Sequence, residues 1–435
     1  MKKIRRRAVS VVLIAIMVLT GLGYYVVLYV NDGPDWALAF PGANSGSTGA
    51  VFDRNGVCLA SFSALENNYC SDGLVRVACY HVTGDYWGRT GTGILSSYVN
   101  AIQDFDILSG TTQYTDNQMY LNLDSRLNVK AFELLSSDRK GCILMMNYRT
   151  GELLCMVSTP SVDPLDNSEP AEGAYINRCL SAVYPPGSVF KLVTSAAAIE
   201  NMSDLYDRTF YCEGVLTIAG VDIKCTGDHY TQDFETALAN SCNCAFGRIS
   251  VNLGQDLLYE YAEKYGLLDS HSLNGIPTAA GNFPSEFIGD PETAWAGIGQ
   301  STDLINPYAL LRYVAAIAND GILCEPELIR TEEGSVKSRL VETSTAQQLQ
   351  SLMRNNVETH YEGATKFPGL PLCAKTGTAE VGDGTSHSWF TGFLQDERHP
   401  YAFVILVENG GGGLTVSGTL AAELLHYAVS IRDNQ

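Results

Sequence analysis

The pattern of apolar and polar positions divides the chain into an apolar N-terminal segment, a region of mixed pattern and a long globular part. Residues 8–30 form an uncharged run that is long enough to cross a bilayer as a helix. Residues 31 to about 48 are rich in Gly, Ser, Asn and Pro, so they predict a stalk, and folded structure is expected to begin near Val51. A short apolar strand there leads into a turn at Asn55-Gly56.

The globular part opens with a helix pattern and a strongly apolar hairpin. Spacing of apolar positions predicts a helix over residues 124–135. Two almost continuously apolar segments, 141–146 and 153–157, flank a turn at residues 148–151. Strands of this kind are typical of the buried middle of a sheet.

Helix patterns fill the middle of the globular part, and strand patterns return only near its end. Residues 188 to about 350 are mostly helical in pattern, with helices at 188–200, 257–265 and 307–318. Three strands and a final amphipathic helix follow at 374–381, 388–394, 402–407 and 418–431. We therefore predict an α+β domain whose single antiparallel sheet is built from both ends of the domain.

Composition and charge narrow the class of protein. The 435 residues are 46% hydrophobic, which excludes wholesale disorder, and a net charge of -20 argues against binding to nucleic acid. Residues 1–7 carry five positive charges before the apolar run, so the positive-inside rule predicts a cytoplasmic tail at 1–7, an anchor at 8–30 and an outward-facing globular part. A cleaved signal peptide, with Gly21 and Gly23 near its end, is the alternative.

The twelve cysteines show no regular disulfide framework. Cys212 and Cys225 flank a segment that could form a hairpin, so they are the one candidate disulfide, and reduced buried thiols are the alternative. The chain has no C-x-x-C pair and its seven histidines are scattered, so the sequence predicts no metal site.

Three short motifs offer chemistry. Ser188 and Lys191 lie one helical turn apart just after Pro185-Pro186-Gly187, where a lysine amine could take the proton of a serine hydroxyl if its pKa were lowered from about 10.4. Burial and a second nearby cation would both lower that pKa. The first two spacings also occur by chance elsewhere, as in Ser137 to Lys140 and Ser272 to Asn274, so the order of the three motifs matters more than any one of them.

The second and third motifs are Ser-Cys-Asn and Lys-Thr-Gly-Thr. Ser241 and Asn243 follow a helix-like segment, two residues apart. Lys375, Thr376, Gly377 and Thr378 lie in a predicted strand, where alternation places Lys375 and Gly377 on one face and the two threonines on the other. A glycine in that position would let a ligand approach the strand closely.

The ordered set S-x-x-K, S-x-N and K-T-G resembles the signature of penicillin-binding proteins and class A β-lactamases. Three further segments resemble the same family: Tyr184-Pro185-Pro186-Gly187, Gly297-Ile298-Gly299-Gln300, and His387 with Trp389-Phe390-Thr391-Gly392-Phe393. With the anchor and Asp53-Arg54-Asn55-Gly56, they indicate a class B, monofunctional penicillin-binding protein.

The resemblance implies a domain division and a fold. A short pedestal-like region at 31–138 would precede a transpeptidase domain at 139–435, which would have the serine β-lactamase and penicillin-binding transpeptidase fold, a five-stranded antiparallel sheet with a helical subdomain. The region before that domain is shorter than the usual class B pedestal.

The resemblance also implies roles for the motif residues. Ser188 would be acylated by a peptidoglycan stem peptide ending in D-Ala-D-Ala, and Lys191 would be its base. Ser241 would relay a proton, Asn243 would bind Lys191 and a substrate amide, and Lys375 would add positive charge. Thr376 and Thr378 would bind the substrate carboxylate beside Gly377, and the N–H groups of Ser188 and Thr378 would form the oxyanion hole.

The expected activity is therefore D,D-transpeptidation in bacterial cell wall synthesis, with β-lactams as inhibitors, a membrane glycan polymerase as partner and no cofactor. A D,D-carboxypeptidase or a β-lactamase of the same fold is an alternative, although the E-x-x-L-N segment of class A β-lactamases is not found. The remaining alternative is a non-catalytic scaffold of a wall-synthesis complex, which would not need Ser188 and Lys191.

Overall fold

A computed structural model describes residues 2–39, 48–62, 67–98, 105–106, 111–112, 116–135, 138–284, 289–382 and 384–433. The first helix, α1, covers Lys2–Ala39, and its stretch Arg7–Val30 is long and apolar enough to span a membrane.

The prediction that a stalk begins at residue 31 was wrong, because residues 31–39 continue helix α1. The segment after Gly33-Pro34 is rich in residues that helices accept, such as alanine and leucine. The remainder of that stalk, residues 40–47, lies outside the described residues.

A small mixed region follows the first helix. Its main sheet has the order β3-β2-β1-β6, in which β1 is antiparallel to β2 and parallel to β6. The predicted strand and turn near Val51 are confirmed, because β1 ends at Phe52 and Gly56 has a φ of +83° in the turn before β2. The strands and helices of this region are β1 Thr48–Phe52, β2 Cys58–Phe62, β3 Asn67–Tyr69, α2 Gly73–Thr83, α3 Ile94–Ser97, β4 Phe105–Asp106, β5 Thr111–Thr112 and β6 Asp116–Tyr120.

The prediction of one antiparallel sheet is confirmed. It combines two strands from the beginning of the globular part with three from its end, in the order β15-β16-β17-β7-β8. The sheet separates two cores, and in β7 Ile143 and Met145 face one core while Leu144 and Met146 face the other. Its strands are β7 Gly141–Asn147, β8 Leu153–Thr159, β15 Leu372–Glu380, β16 Ser386–Leu394 and β17 Tyr401–Val407. The helices α4 Ser125–Leu135 and α13 Ser417–Asp433 cover the first of these faces.

The long middle segment packs against the other face of the sheet. Its helices are α5 Lys191–Asn201, α6 Phe234–Ala239, α7 Asn243–Leu253, α8 Gln255–Lys264, α9 Asp290–Ala296, α10 Pro307–Ala318, α11 Thr343–Thr359 and α12 Gly363–Lys366, with 3-10 turns at Gly187–Val189 and Leu205–Asp207. The short strand pairs are β11 Ser272–Leu273 with β12 Ile276–Pro277, and β13 Ile322–Cys324 with β14 Lys337–Arg339. The hairpin expected between Cys212 and Cys225 is present, as β9 Phe210–Ile218 and β10 Val221–Gln232, and it is longer than the mostly helical pattern of this region predicted.

Asp53 joins the small mixed region to the main domain. Its buried carboxylate accepts hydrogen bonds from the backbone N–H groups of Asn55 and Val57, each at 2.8 Å, and from the N–H and hydroxyl of Ser125 at 3.1 and 2.7 Å. The same carboxylate therefore closes the β1–β2 turn and satisfies N-terminal donors of α4. Arg54 beside it forms an ion pair with Glu152 at 3.3 Å.

Replacing this carboxylate should destabilise the whole chain. Asp53→Ala leaves the buried N–H and hydroxyl of Ser125 without their acceptor, and it also removes the acceptor of the Asn55 and Val57 N–H groups in the exposed turn, which costs about 2–3 kcal/mol. We expect the thermal unfolding midpoint of the full chain in detergent to fall by several degrees. Asp222→Ala is the control, because that exposed carboxylate accepts a side-chain hydrogen bond only from the Thr217 hydroxyl within the described part of the chain. Equal midpoints for the two variants would contradict this role of Asp53.

Candidate active site

Ser188 lies on a tight turn wedged between two other segments of the main domain. The turn Gly187–Val189 is a 3-10 helix, in which Gly187 has a φ of +54°. The Gly187 N–H donates to the Gly299 carbonyl at 2.7 Å, and a Cβ at Gly187 would lie 2.7 Å from the Thr378 carbonyl oxygen. Only glycine fits this backbone conformation and this close approach. The serine is thereby fixed beside strand β15.

Lys191 lies one turn further on and points back at the serine. Its side chain is 0% exposed, and its Nζ lies 3.1 Å from Ser188 Oγ. The same nitrogen donates to the Ser241 carbonyl at 2.6 Å and to Asn243 Oδ1 at 2.7 Å, and lies 3.3 Å from Ser241 Oγ. The predicted contact between serine and lysine is therefore present, and the Ser-Cys-Asn motif supplies the remaining partners of the amine.

The Ser-Cys-Asn motif occupies a strained turn between α6 and α7. Ser241 has a φ of +53°, in the left-handed region that non-glycine residues rarely adopt. Two contacts hold it there, since its N–H donates to the Leu238 carbonyl at 3.0 Å and its own carbonyl accepts from Lys191. The Asn243 side-chain amide donates to the Lys224 carbonyl of β10 at 2.8 Å, which turns its oxygen toward Lys191.

Lys375 enters the same cluster from strand β15. Its side chain is also 0% exposed, and its Nζ donates to Ser241 Oγ at 2.9 Å and to the Thr376 carbonyl at 2.9 Å. The Ser241 hydroxyl thus lies between the two lysine amines, at 3.3 Å from Lys191 and 2.9 Å from Lys375. The fold brings all three sequence motifs together at this hydroxyl.

Burial sets the protonation of both amines. Loss of solvent lowers the pKa of Lys191 to about 8, while the thiols of Cys225, Cys242 and Cys244 act weakly in the opposite direction. Burial, and then the positive charge of Lys191, holds the pKa of Lys375 well below its ordinary value. Within the described part of the chain, no carboxylate contributes to either shift. A neutral amine is therefore accessible near neutral pH, and only Lys191 reaches Ser188.

The two threonines of strand β15 line the open cleft in front of Ser188. Thr376 Oγ1 lies 3.2 Å from the hydroxyl of the buried Tyr361, a residue that the sequence analysis did not identify. Thr378 is exposed, and its hydroxyl accepts a hydrogen bond from the Gly413 N–H at 3.2 Å. Both hydroxyls are thus held in place by neighbouring segments, at the mouth of the cleft.

The role predicted for Gly377 was wrong. We expected the missing side chain to let a ligand approach, but a Cβ there would lie 2.9 Å from Trp389 Cβ, 3.0 Å from Val189 Cγ1 and 3.1 Å from the Pro186 carbonyl oxygen. The space is already filled by the protein, because the turn that carries Ser188 packs directly on the strand. The glycine therefore serves the placement of the nucleophile.

Beside the Ser-Cys-Asn turn, the structure brings together four side chains, of which the sequence analysis connected only Cys212 and Cys225. The Sγ atoms of Cys212, Cys225 and Cys242 and a ring nitrogen of His229 all lie within 4.8 Å of one another; we call these four residues the hairpin cluster. The available signal was the spacing in the sequence: Cys225 and His229 are four residues apart on one strand, Cys212 lies thirteen residues before Cys225, and Cys242 lies thirteen residues after His229.

The candidate disulfide between Cys212 and Cys225 is not formed, since all twelve cysteines are free thiols. The register explains this result. Cys212 pairs with Tyr230 across the hairpin, and Cys225 lies in an irregular stretch between Lys224 and Asp228. Hydrogen bonds from the thiols of Cys242 and Cys244 hold the pKa of the Cys225 thiol well below its ordinary value.

Comparison with known proteins agrees with this geometry. The sequence model of the penicillin-binding protein transpeptidase domain matches residues 141–426, well over half of the chain. The peptidoglycan D,D-transpeptidase PbpA of Mycobacterium tuberculosis H37Rv is 30% identical over 330 residues, which are 67% of this chain and 66% of that protein. The stage V sporulation protein D of Bacillus subtilis is 28% identical over 337 residues, 71% of this chain and 52% of that protein. The chain thus matches less than two thirds of the length of either relative.

Solved structures show the same fold. The D,D-transpeptidase domain of a peptidoglycan glycosyltransferase from Eggerthella lenta superimposes with a TM-score of 0.78 at 24% identity, over 90% of this chain and 100% of that one. The penicillin G acyl-enzyme complex of penicillin-binding protein A from M. tuberculosis gives 0.73 at 24% identity, over 90% and 100% of the two chains. From the matched domain and the shared fold, the chain belongs to the penicillin-binding protein transpeptidase family, in its class B branch.

Proposed function

We propose that this protein is a peptidoglycan D,D-transpeptidase that cross-links stem peptides through an acyl-enzyme at Ser188. The observation that carries the proposal is the buried Lys191 amine, 3.1 Å from Ser188 Oγ and bonded to both polar residues of the Ser-Cys-Asn motif. The names of the relatives support it, because PbpA of M. tuberculosis carries this activity in its name.

In the proposed first step, Ser188 Oγ attacks the carbonyl carbon of the penultimate D-alanine. Neutral Lys191 takes the hydroxyl proton as the C–O bond forms, and the N–H groups of Ser188 and Thr378 hold the oxyanion. The peptide C–N bond then breaks, and the departing D-alanine nitrogen receives a proton through the Ser241 hydroxyl, which lies between the two lysine amines. The product is an ester at Ser188 and free D-alanine.

In the second step, the amine of a neighbouring stem peptide attacks the ester carbonyl. Lys191 accepts a proton of that amine and returns one to Ser188 Oγ as the ester C–O bond breaks, so that the cross-link forms and the enzyme is restored. Asn243 orients Lys191 through its amide oxygen and offers its remaining amide N–H to the substrate backbone.

We further propose that the hydroxyls of Thr376 and Thr378 bind the terminal carboxylate of the donor stem. They line the cleft that contains Ser188, and they lie on the strand that carries Lys375. A protonated Lys375 would add attraction for that carboxylate. The same carboxylate occurs in β-lactams, which we propose as inhibitors that acylate Ser188.

The setting of the enzyme is also a proposal. The apolar helix and the five positive charges before it support a membrane anchor with residues 1–7 in the cytoplasm, residues 31–138 as a pedestal-like region and residues 139–435 as the outward-facing transpeptidase domain. Such an anchor would keep the site near newly made glycan strands, so we propose a membrane glycan polymerase as its partner.

Cross-linking tests the proposed function directly. The full chain in detergent is incubated with uncross-linked glycan strands whose stems end in D-Ala-D-Ala, and the digested products are analysed by mass spectrometry. We expect cross-linked dimers and released D-alanine from the wild type and from Ser272→Ala, which changes the chance Ser-x-Asn spacing, and neither product from Ser188→Ala. D-alanine release without dimers would replace the proposal with a carboxypeptidase, and neither product from the wild type would favour a scaffold.

The rate of acylation should depend on the protonation of Lys191. Since the neutral amine is the base and its pKa is about 8, the rate constant with benzylpenicillin should rise as pH increases toward 8 and level off above it. The fall on the acid side should approach about tenfold per pH unit. Lys191→Arg should abolish acylation at every pH, because a guanidinium keeps its proton. A flat profile for the wild type, or acylation by the arginine variant, would contradict the assignment of the base.

A further inference from the structure

The hairpin cluster has the donor atoms and the spacing of a tetrahedral metal site. Bonds of about 2.3 Å from zinc to sulfur and about 2.0–2.1 Å to nitrogen place two sulfurs about 3.8 Å apart, and a sulfur and a nitrogen about 3.6 Å apart. The Sγ atoms of Cys225 and Cys242 are 3.8 Å apart. His229 Nδ1 lies 3.6 Å from Cys212 Sγ and 3.5 Å from Cys225 Sγ.

The surroundings of the cluster favour thiolates. The Asn243 backbone N–H donates to Cys225 Sγ at 3.2 Å, and the Ala245 N–H donates to Cys242 Sγ at 3.4 Å. Cys242 is also the N-cap of α7, where the helix dipole stabilises negative charge. Backbone N–H groups directed at sulfur are the supporting contacts that orient metal ligands.

We propose that the hairpin cluster binds one structural zinc ion, which fixes the turn carrying Ser241 and Asn243. Three thiolates and one imidazole form a closed set of four ligands, which suits zinc in a structural role. A soft, sulfur-rich set of this kind does not suit magnesium or calcium.

The hairpin cluster adjoins the turn that carries Ser241 and Asn243, so a bound ion would influence the geometry of the active site. Two ligands come from the hairpin strand β10, one comes from β9, and Cys242 stands between Ser241 and Asn243. A two-stranded hairpin is marginally stable by itself, and a metal would clamp it to α7. The clamp would keep the Lys224 carbonyl against the Asn243 amide, and thus the amide oxygen against Lys191. The ligands are positioning residues, since none of them forms a hydrogen bond with Ser188 in the described part of the chain.

Metal content tests the proposal without reference to activity. The full chain is purified in detergent from cells grown with zinc and analysed by inductively coupled plasma mass spectrometry. We expect about one zinc ion per chain in the wild type and in Cys58→Ser, a control that changes another half-buried thiol, and almost none in Cys225→Ser or His229→Ala. Replacement by cobalt(II) should give the thiolate charge-transfer absorption and visible bands of a tetrahedral site in the wild type.

The positioning role has its own readout. Removal of the metal by a chelator should lower the rate constant of acylation by benzylpenicillin by about tenfold to a hundredfold, with the dissociation constant for the drug less affected, and added zinc should restore it. Cys225→Ser should not be rescued. A wild-type chain that carries no metal after growth in zinc overturns the proposal, whether its four residues are then free or two cysteines are joined in a disulfide. A metal that is present but whose removal leaves acylation unchanged overturns the positioning role. Because metal content is independent of cross-linking, failure of the proposed transpeptidase activity would leave this result intact.

Discussion

The burial of two lysine amines around one serine hydroxyl is the constraint on which the rest of the site depends. Ammonium groups are costly to bury without a counter-charge, and the described structure supplies polar oxygens in place of a carboxylate. Lys191 and Lys375 meet at Ser241 from two elements that are far apart in sequence. The cost of keeping both amines charged is what makes a neutral amine accessible beside Ser188.

This arrangement requires three segments to be held at short range. The Ser188 turn packs on strand β15 where Gly377 leaves room for it, and the Gly299 carbonyl holds the turn from the other side. The strained Ser241 turn is held by Lys191 from within and by the β9–β10 hairpin from outside. The active site therefore depends on the packing of these three segments against one another. A change in any of them would move the Lys191 amine relative to the Ser188 hydroxyl.

The sequence predicted those features that depend on local chemistry. Long apolar strands, a helix beginning at Pro307 and the order of the three motifs each follow from residues near one another in the chain, and the structure has them. It did not predict features that depend on register between distant segments. The hairpin cluster requires an irregular pairing near Cys225, and the partner of Thr376 is Tyr361, which lies in the loop between two helices. The role of Gly377 failed for the same reason, because the neighbour that fills its space comes from another part of the chain.

The most direct test of the account is the titration of Lys191 itself. Nuclear magnetic resonance of the full chain in detergent, with lysine labelled at ¹³Cε and the resonance assigned by comparison with Lys191→Arg, reports the protonation of this amine. The account predicts a resonance that titrates with a midpoint near 8, since burial lowers the pKa of Lys191 to about 8. A Lys191 resonance that stays in its protonated position up to about pH 10, the ordinary range of an exposed lysine, would contradict it.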